Sequence, residues 1–102
     1  MKAAMQNGVS STKQKVHLVD GVFTVSEASD VVLALINEKL NFHKLQRLSL
    51  SESSIMANTK YPDDRISELE LEKSLAKEFF AQAKSQGKTL KIDGILNISI
   101  NE

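Results

Sequence analysis

Two long stretches of this chain carry apolar residues at helical spacing. In the first they fall at 28, 31, 32, 35, 36, 40, 42, 45 and 48, and in the second at 66, 69, 71, 75, 76, 79, 80, 81 and 83. Steps of three and four put such side chains on one side of an α-helix, so each stretch must bury a wide apolar face. A chain of 102 residues is one domain's worth of polypeptide, and the simplest way to bury two such faces in it is to pack them against each other.

The ends of both stretches carry their own signals. Thr24, Val25, Ser26 and Glu27 fit a capping box, in which the Thr hydroxyl accepts from the backbone three residues on and the Glu carboxylate reaches back. Phe23 before the cap and Ala28 within the helix occupy the staple positions. The first helix is expected from about Val25 to about Leu48, with a bend near Asn41. Pro62 suits a first helical turn, where its missing N–H costs nothing, and Asp63 and Asp64 suit the positive end of the dipole. Gly87, with Lys84 and Lys88 nearby, reads as a C-terminal cap, so the second helix is expected over 63–86. Residues 49–61 break the period and read as a loop.

The flanks read as extended. Residues 16–23 are rich in β-branched and aromatic side chains, and Leu90, Ile92, Leu96, Ile98 and Ile100 share one parity. Asp20-Gly21 and Asp93-Gly94 echo each other. A tight hairpin at Asp93-Gly94 would throw the tail's apolar residues to opposite sides, so a continuous or bulged strand is expected there. At Asp20-Gly21 the opposite holds, since a tight hairpin would gather Val16, Leu18, Phe23 and Val25; the residues leave open whether each Asp-Gly pair turns or lies within a strand. The resulting fold class is two-layer α+β: an antiparallel helical hairpin packed on a small β-sheet from the N- and C-terminal segments. Residues 1–15, polar and aperiodic, read as a flexible arm, and 16–102 as a single domain.

In an antiparallel pair, residues at one height have position numbers of constant sum. At a sum of 111 nearly all the apolar positions of the first helix meet apolar ones, from Ala28 with Ala83 to Leu45 with Ile66. The same sum sets Arg47 by Asp64, His43 by Glu68, Lys39 by Glu72, Glu38 by Lys73 and Glu27 by Lys84. Exposed pairs of this kind are worth only about 0 to 1 kcal/mol each, so their expected role is to select register. The same surfaces could equally pair between two chains.

Charge and composition narrow the function classes. Thirteen basic and thirteen acidic residues cancel, leaving no global field to gather a polyanion. The absence of cysteine excludes disulfides, thiolate metal sites and thiol nucleophiles. No secretory leader and no apolar run of membrane-spanning length is seen, so a soluble, cytoplasmic protein with no membrane partner is expected. Asn97-Ile98-Ser99 matches a glycosylation acceptor, which reads as chance without export.

Lys39, His43, Lys44 and Arg47 recur along one helix and form the candidate anion-binding stripe. Against it stand the neutral net charge and the reflected acidic stripe of Asp64, Glu68 and Glu72. Asp64 with Glu68, or His43 with Glu68, has acid–base or metal-ligand chemistry, but lone carboxylates at helical spacing usually form a solvated face. His17 reads as a strand-face histidine. No metal, cofactor or catalytic residue is therefore assigned. The 49–61 loop, with Ser53, Ile55, Met56 and Tyr61, is the candidate partner-binding segment, since connections this long usually bind something or stay disordered. The reading is a non-catalytic protein–protein interaction or assembly module that forms a homodimer through sheet extension or helix packing, with an unknown protein partner. The alternative is a small nucleic-acid-binding regulator using the basic stripe.

Overall fold

The structure, a computed structural model, describes residues 12–54 and 56–101. In chain order these form β1 (Lys13–Phe23), α1 (Val25–Ser53), α2 (Lys60–Gln86) and β2 (Leu90–Ser99). The strands pair with each other in a two-stranded antiparallel sheet, and α1 packs against α2. This is the α+β class expected: a helical hairpin, and a small sheet from the N- and C-terminal segments. Contacts divide the chain into two compact units, one containing the sheet and the other spanning Phe23–Leu90. Of the expected arm, residues 1–11 lie outside the described residues, and 13–15 belong to β1.

The capping box forms as expected. Thr24 is extended, its Oγ1 accepts from the Glu27 N–H at 3.1 Å, and its own N–H donates to Glu27 Oε1 at 3.0 Å. From there α1 continues through Asn41 without a break and passes the expected end at Leu48, reaching Ser53. Nothing between 49 and 53 stops it: there is no Gly or Pro, and Leu50 keeps the inner face half-buried. At the far end α2 starts at Lys60 rather than 63, with Pro62 still inside the first turn.

The loop expected over 49–61 is therefore a turn over 54–59. Its short polar side chains act as local caps. Ser54 Oγ accepts from the Met56 N–H at 3.0 Å, Asn58 Oδ1 from the Lys60 N–H at 2.9 Å, and the Ser54 carbonyl from the Ala57 N–H at 3.2 Å. Ser, Asn and Thr weaken a helical pattern in sequence because they can bond the backbone this way. Here they do so only in the middle of the stretch. α2 ends on Gly87 at φ 66°, whose N–H donates to the Lys84 carbonyl at 3.1 Å.

The inner face of α2 runs through Pro62, Ile66, Leu69, Lys73, Ala76, Phe80 and Ala83, all buried or half-buried and separated by alternating steps of four and three. That is a repeat of 3.5, the seam of a coiled-coil-like pair. The facing seam of α1 runs through Ala28, Val32, Ile36, Leu40, His43, Gln46 and Leu50. Register is visible in two ion pairs, Arg47 with Asp63 at 3.4 Å and Lys44 with Glu70 at 3.9 Å. Their position sums, 110 and 114, bracket the expected 111.

Two expectations are corrected. Arg47 meets Asp63, not Asp64, which is held by Lys60 at 2.8 Å. The other four expected pairs are not among the ion pairs of the described residues: Glu68 is held by Arg65, Glu27 is engaged in the cap, and His43 is buried. Nor does every apolar position meet an apolar one, since Leu35, Phe42, Leu45, Leu71, Leu75 and Phe79 remain exposed. The seam mates one narrow stripe of each helix, and the apolar face of each helix is wider than that.

In the sheet, β2 runs unbroken through Asp93-Gly94, as expected. β1 also runs unbroken through Asp20-Gly21, so no hairpin forms there and both echoed dipeptides lie within strands. The Ile100 N–H donates to the Thr12 carbonyl at 2.9 Å, while a Cβ at Gly94 would sit 3.8 Å from the Val19 Cβ. Between these points β1 advances one residue more than β2, and half-burial on β1 shifts from Val16 to Val19, Gly21 and Phe23. One extra residue in β1, a bulge, accounts for both.

Candidate interaction surfaces

A residue just before a seam position projects to one side of the hairpin, and one just after it to the other; in an antiparallel pair the "before" positions of both helices share a side. Arg47, Lys44, Asp63 and Glu70 are all "after" positions, and they meet as ion pairs on one side. The "before" positions include Leu35, Phe42 and Leu45 on α1 and Tyr61, Leu75 and Phe79 on α2. All six are exposed, Phe42 and Phe79 with 56% and 57% of their surface in water. The hairpin thus has a polar, ion-paired side and an apolar side. Single exposed apolar residues are ordinary; six on one side of one hairpin form a wider apolar surface than that.

The charges on the apolar side are mixed: Glu38, Glu68 and Glu72 with Lys39 and Arg65. Arg65 is held by Glu68, and Lys39 Nζ lies 5.4 Å from the Phe42 ring centroid, a cation–π contact.

This two-sidedness splits the expected anion-binding stripe. Lys44 and Arg47 are in ion pairs on the polar side, Lys39 sits over Phe42 on the apolar side, and His43 between them is 2% exposed. The His43 ring packs edge-on against Phe42 and Tyr61, with centroids at 5.1 and 5.8 Å, and its Nδ1 is 3.0 Å from Gln46 Oε1. The structure brings the four together only as neighbours along α1.

The residues of the expected binding loop are also redistributed. Ser53 ends α1, donating to the Leu50 carbonyl at 2.7 Å. Ile55 lies outside the described residues. Met56, in the turn, is 85% exposed, and Tyr61 sits in the first turn of α2 on the apolar side. Sequence reasoning paired Leu35, Phe42, Leu45, Leu75 and Phe79 across the hairpin as apolar contacts; on α2 the 3.5 repeat, separated from the wider apolar pattern, is the signal that sets Leu75 and Phe79 apart.

The sheet offers a second surface. None of its described residues is buried, and Ile95, Leu96 and Ile98 of β2 are about half exposed. Asp20 and Asp93 share Lys91, whose Nζ is 2.9 Å from Asp93 Oδ1 and 3.8 Å from Asp20 Oδ1. The Lys91 hydrogen bond holds the Asp93 carboxyl below the usual carboxylate range, and Asp93 in turn raises Lys91 above its ordinary value. An open hollow of about 620 Å³ lies along the same sheet between residues 12–15 and 98–100. Among the described residues no three His, Asp or Glu side chains converge as metal ligands. No described helix is long and apolar enough to cross a membrane.

No protein-family model matches this chain, and neither a curated protein nor a solved structure matches it.

Proposed function

We propose that the protein is a non-catalytic, intracellular interaction or assembly module and that it works as a homodimer. One observation carries this reading: the apolar side of the helical hairpin. Leu35, Phe42, Leu45, Tyr61, Leu75 and Phe79, each with a large part of its surface in water, offer on the order of 600 Å². A standard protein–protein interface takes about 800 Å² from each partner, so this side is of the size that a stable complex covers. The alternative reading, a nucleic-acid-binding regulator, loses the contiguous stripe of Lys39, His43, Lys44 and Arg47 on which it stood.

The test is mass in solution across a wide concentration range, by sedimentation, for the wild-type chain and for Phe42→Lys/Leu75→Lys. The wild type is expected to approach twice its monomer mass, with little dependence on salt. The variant is expected to stay monomeric with helical circular dichroism unchanged. A wild type that remains monomeric throughout, or a variant that associates equally well, overturns the reading; tight binding to nucleic acid that falls steeply with salt would favour the alternative.

A further inference from the structure

We propose that a second copy of this chain docks on the apolar side with α1 of each copy lying against α2 of the other, the two α1–α2 turns at the same end, closing an antiparallel four-helix bundle. The proposal rests on the homodimer reading and adds its geometry. Two hairpins that share one side by two-fold symmetry have two choices. With the axis along the helices, α1 faces the partner's α2. With the axis across them, α1 faces α1 and α2 faces α2, and the turns lie at opposite ends.

Charge separates the two. On the apolar side α2 carries Glu68 and Glu72 against one cation, Arg65, which Glu68 already holds, so α2 against α2 brings together two faces of net negative charge, which opposes association. The α1-to-α2 arrangement instead offers Glu72 the Lys39 ammonium of the other chain. These two residues are level at a position sum of 111, within the 110 to 114 that the hairpin itself adopts. Neither is in an ion pair within its own chain among the described residues, and Lys39 Nζ rests over the Phe42 ring, on the side where a partner would sit. Glu38, next along α1, is the remaining like charge at that height. The apolar side chains match in the same register: Leu35 lies level with the stretch from the partner's Leu75 to the partner's Phe79, at position sums of 110 to 114. Each chain thus repeats toward its copy the antiparallel register it already uses within itself, as four-helix bundles of up-down topology do.

Charge exchange tests the arrangement. Lys39→Glu and Glu72→Lys, both at exposed positions, are each expected to weaken self-association about tenfold, and an equimolar mixture of the two is expected to recover the wild-type dimer mass as a heterodimer. The chain has no cysteine, so single-cysteine variants report contacts cleanly. Leu35→Cys mixed with Phe79→Cys is expected to form a disulfide-linked heterodimer under mild oxidation, and Phe42→Cys alone is expected not to cross-link to itself. Self-cross-linking of Phe42→Cys, or a mixture of the charge variants that fails to recover, overturns the arrangement while leaving the dimer in place. A wild-type chain that never associates overturns both, and the mass measurement on that chain tells the two failures apart.

Discussion

Arg47 of α1 and Asp63 of α2 meet across the hairpin, Nη1 to Oδ1 at 3.4 Å, with each side chain about half exposed. The contact is long for a hydrogen bond and lies in water, so its worth is small: Arg47→Ala is expected to lower stability by less than about 1 kcal/mol. A double-mutant cycle with Asp63→Ala, followed by urea unfolding, measures the coupling directly. A coupling above about 2 kcal/mol would mean that the pair drives hairpin formation rather than selecting its register.

His43 behaves oppositely. It is the one buried polar side chain among the described residues, closed in by Phe42 and Tyr61. Removing the ring leaves a void in the seam, so His43→Ala is expected to cost roughly 2–4 kcal/mol, in the range of large-to-small core changes. His43→Leu is expected to cost markedly less, because Gln46 is only half-buried and water can replace its lost partner. Chemical denaturation of the two variants ranks them. Equal losses would assign His43 a hydrogen-bonding role rather than a packing one.

The two helix ends respond to different causes. Thr24→Ala removes the hydroxyl that accepts from Glu27 and is expected to cost about 1 kcal/mol. At Gly87 a Cβ meets nothing within 4 Å, yet φ is +66°. The cost of Gly87→Ala is therefore backbone alone, about 1 kcal/mol, and Gly87→Asn is expected to cost less because Asn tolerates the left-handed region. Thermal unfolding resolves both. An Ala variant as stable as wild type would show that α2 can end on another residue.

Much of this was legible in the residues because local signals are strong where a side chain bonds its own backbone. Thr24 and Glu27 located the start of α1, and Gly87 the end of α2. The unbroken parity of Leu90, Ile92, Leu96, Ile98 and Ile100 located β2. What misled were residues whose meaning depends on a distant partner. Ser49, Ser51 and Ser53 look like loop, but with Leu50 on the inner face they extend α1. Asp20-Gly21 is turn-like in isolation, but pairing with β2 holds it extended. The candidate stripe is split for the same reason: Lys39, His43 and Arg47 recur every four residues, while the seam of α1 steps by three from Leu40 through His43 to Gln46, so the stripe passes from one side of the hairpin through the seam to the other.

The exposed cluster of Asp20, Lys91 and Asp93 ties the sheet to pH. Asp20 and Asp93 lie on neighbouring strands, where like charges oppose pairing, and Lys91 Nζ lies between them. The Lys91 hydrogen bond holds the Asp93 carboxyl below its ordinary value, so this contribution to stability is present above the unfolded carboxylate pKa of about 3.9 and is lost as pH falls through the lower, folded value. Lys91 is raised by Asp93, so its share is full below the unfolded pKa of about 10.4 and is lost as pH rises through the higher, folded value. Between those limits the ionised pair contributes; because every member is in solvent, salt weakens it. An NMR titration of the Asp93 side-chain carboxyl is expected to give a midpoint below the usual carboxylate range, moving up toward it in Lys91→Ala and at high salt. A midpoint unchanged by Lys91→Ala would mean that the lysine does not hold the two strands' carboxylates together.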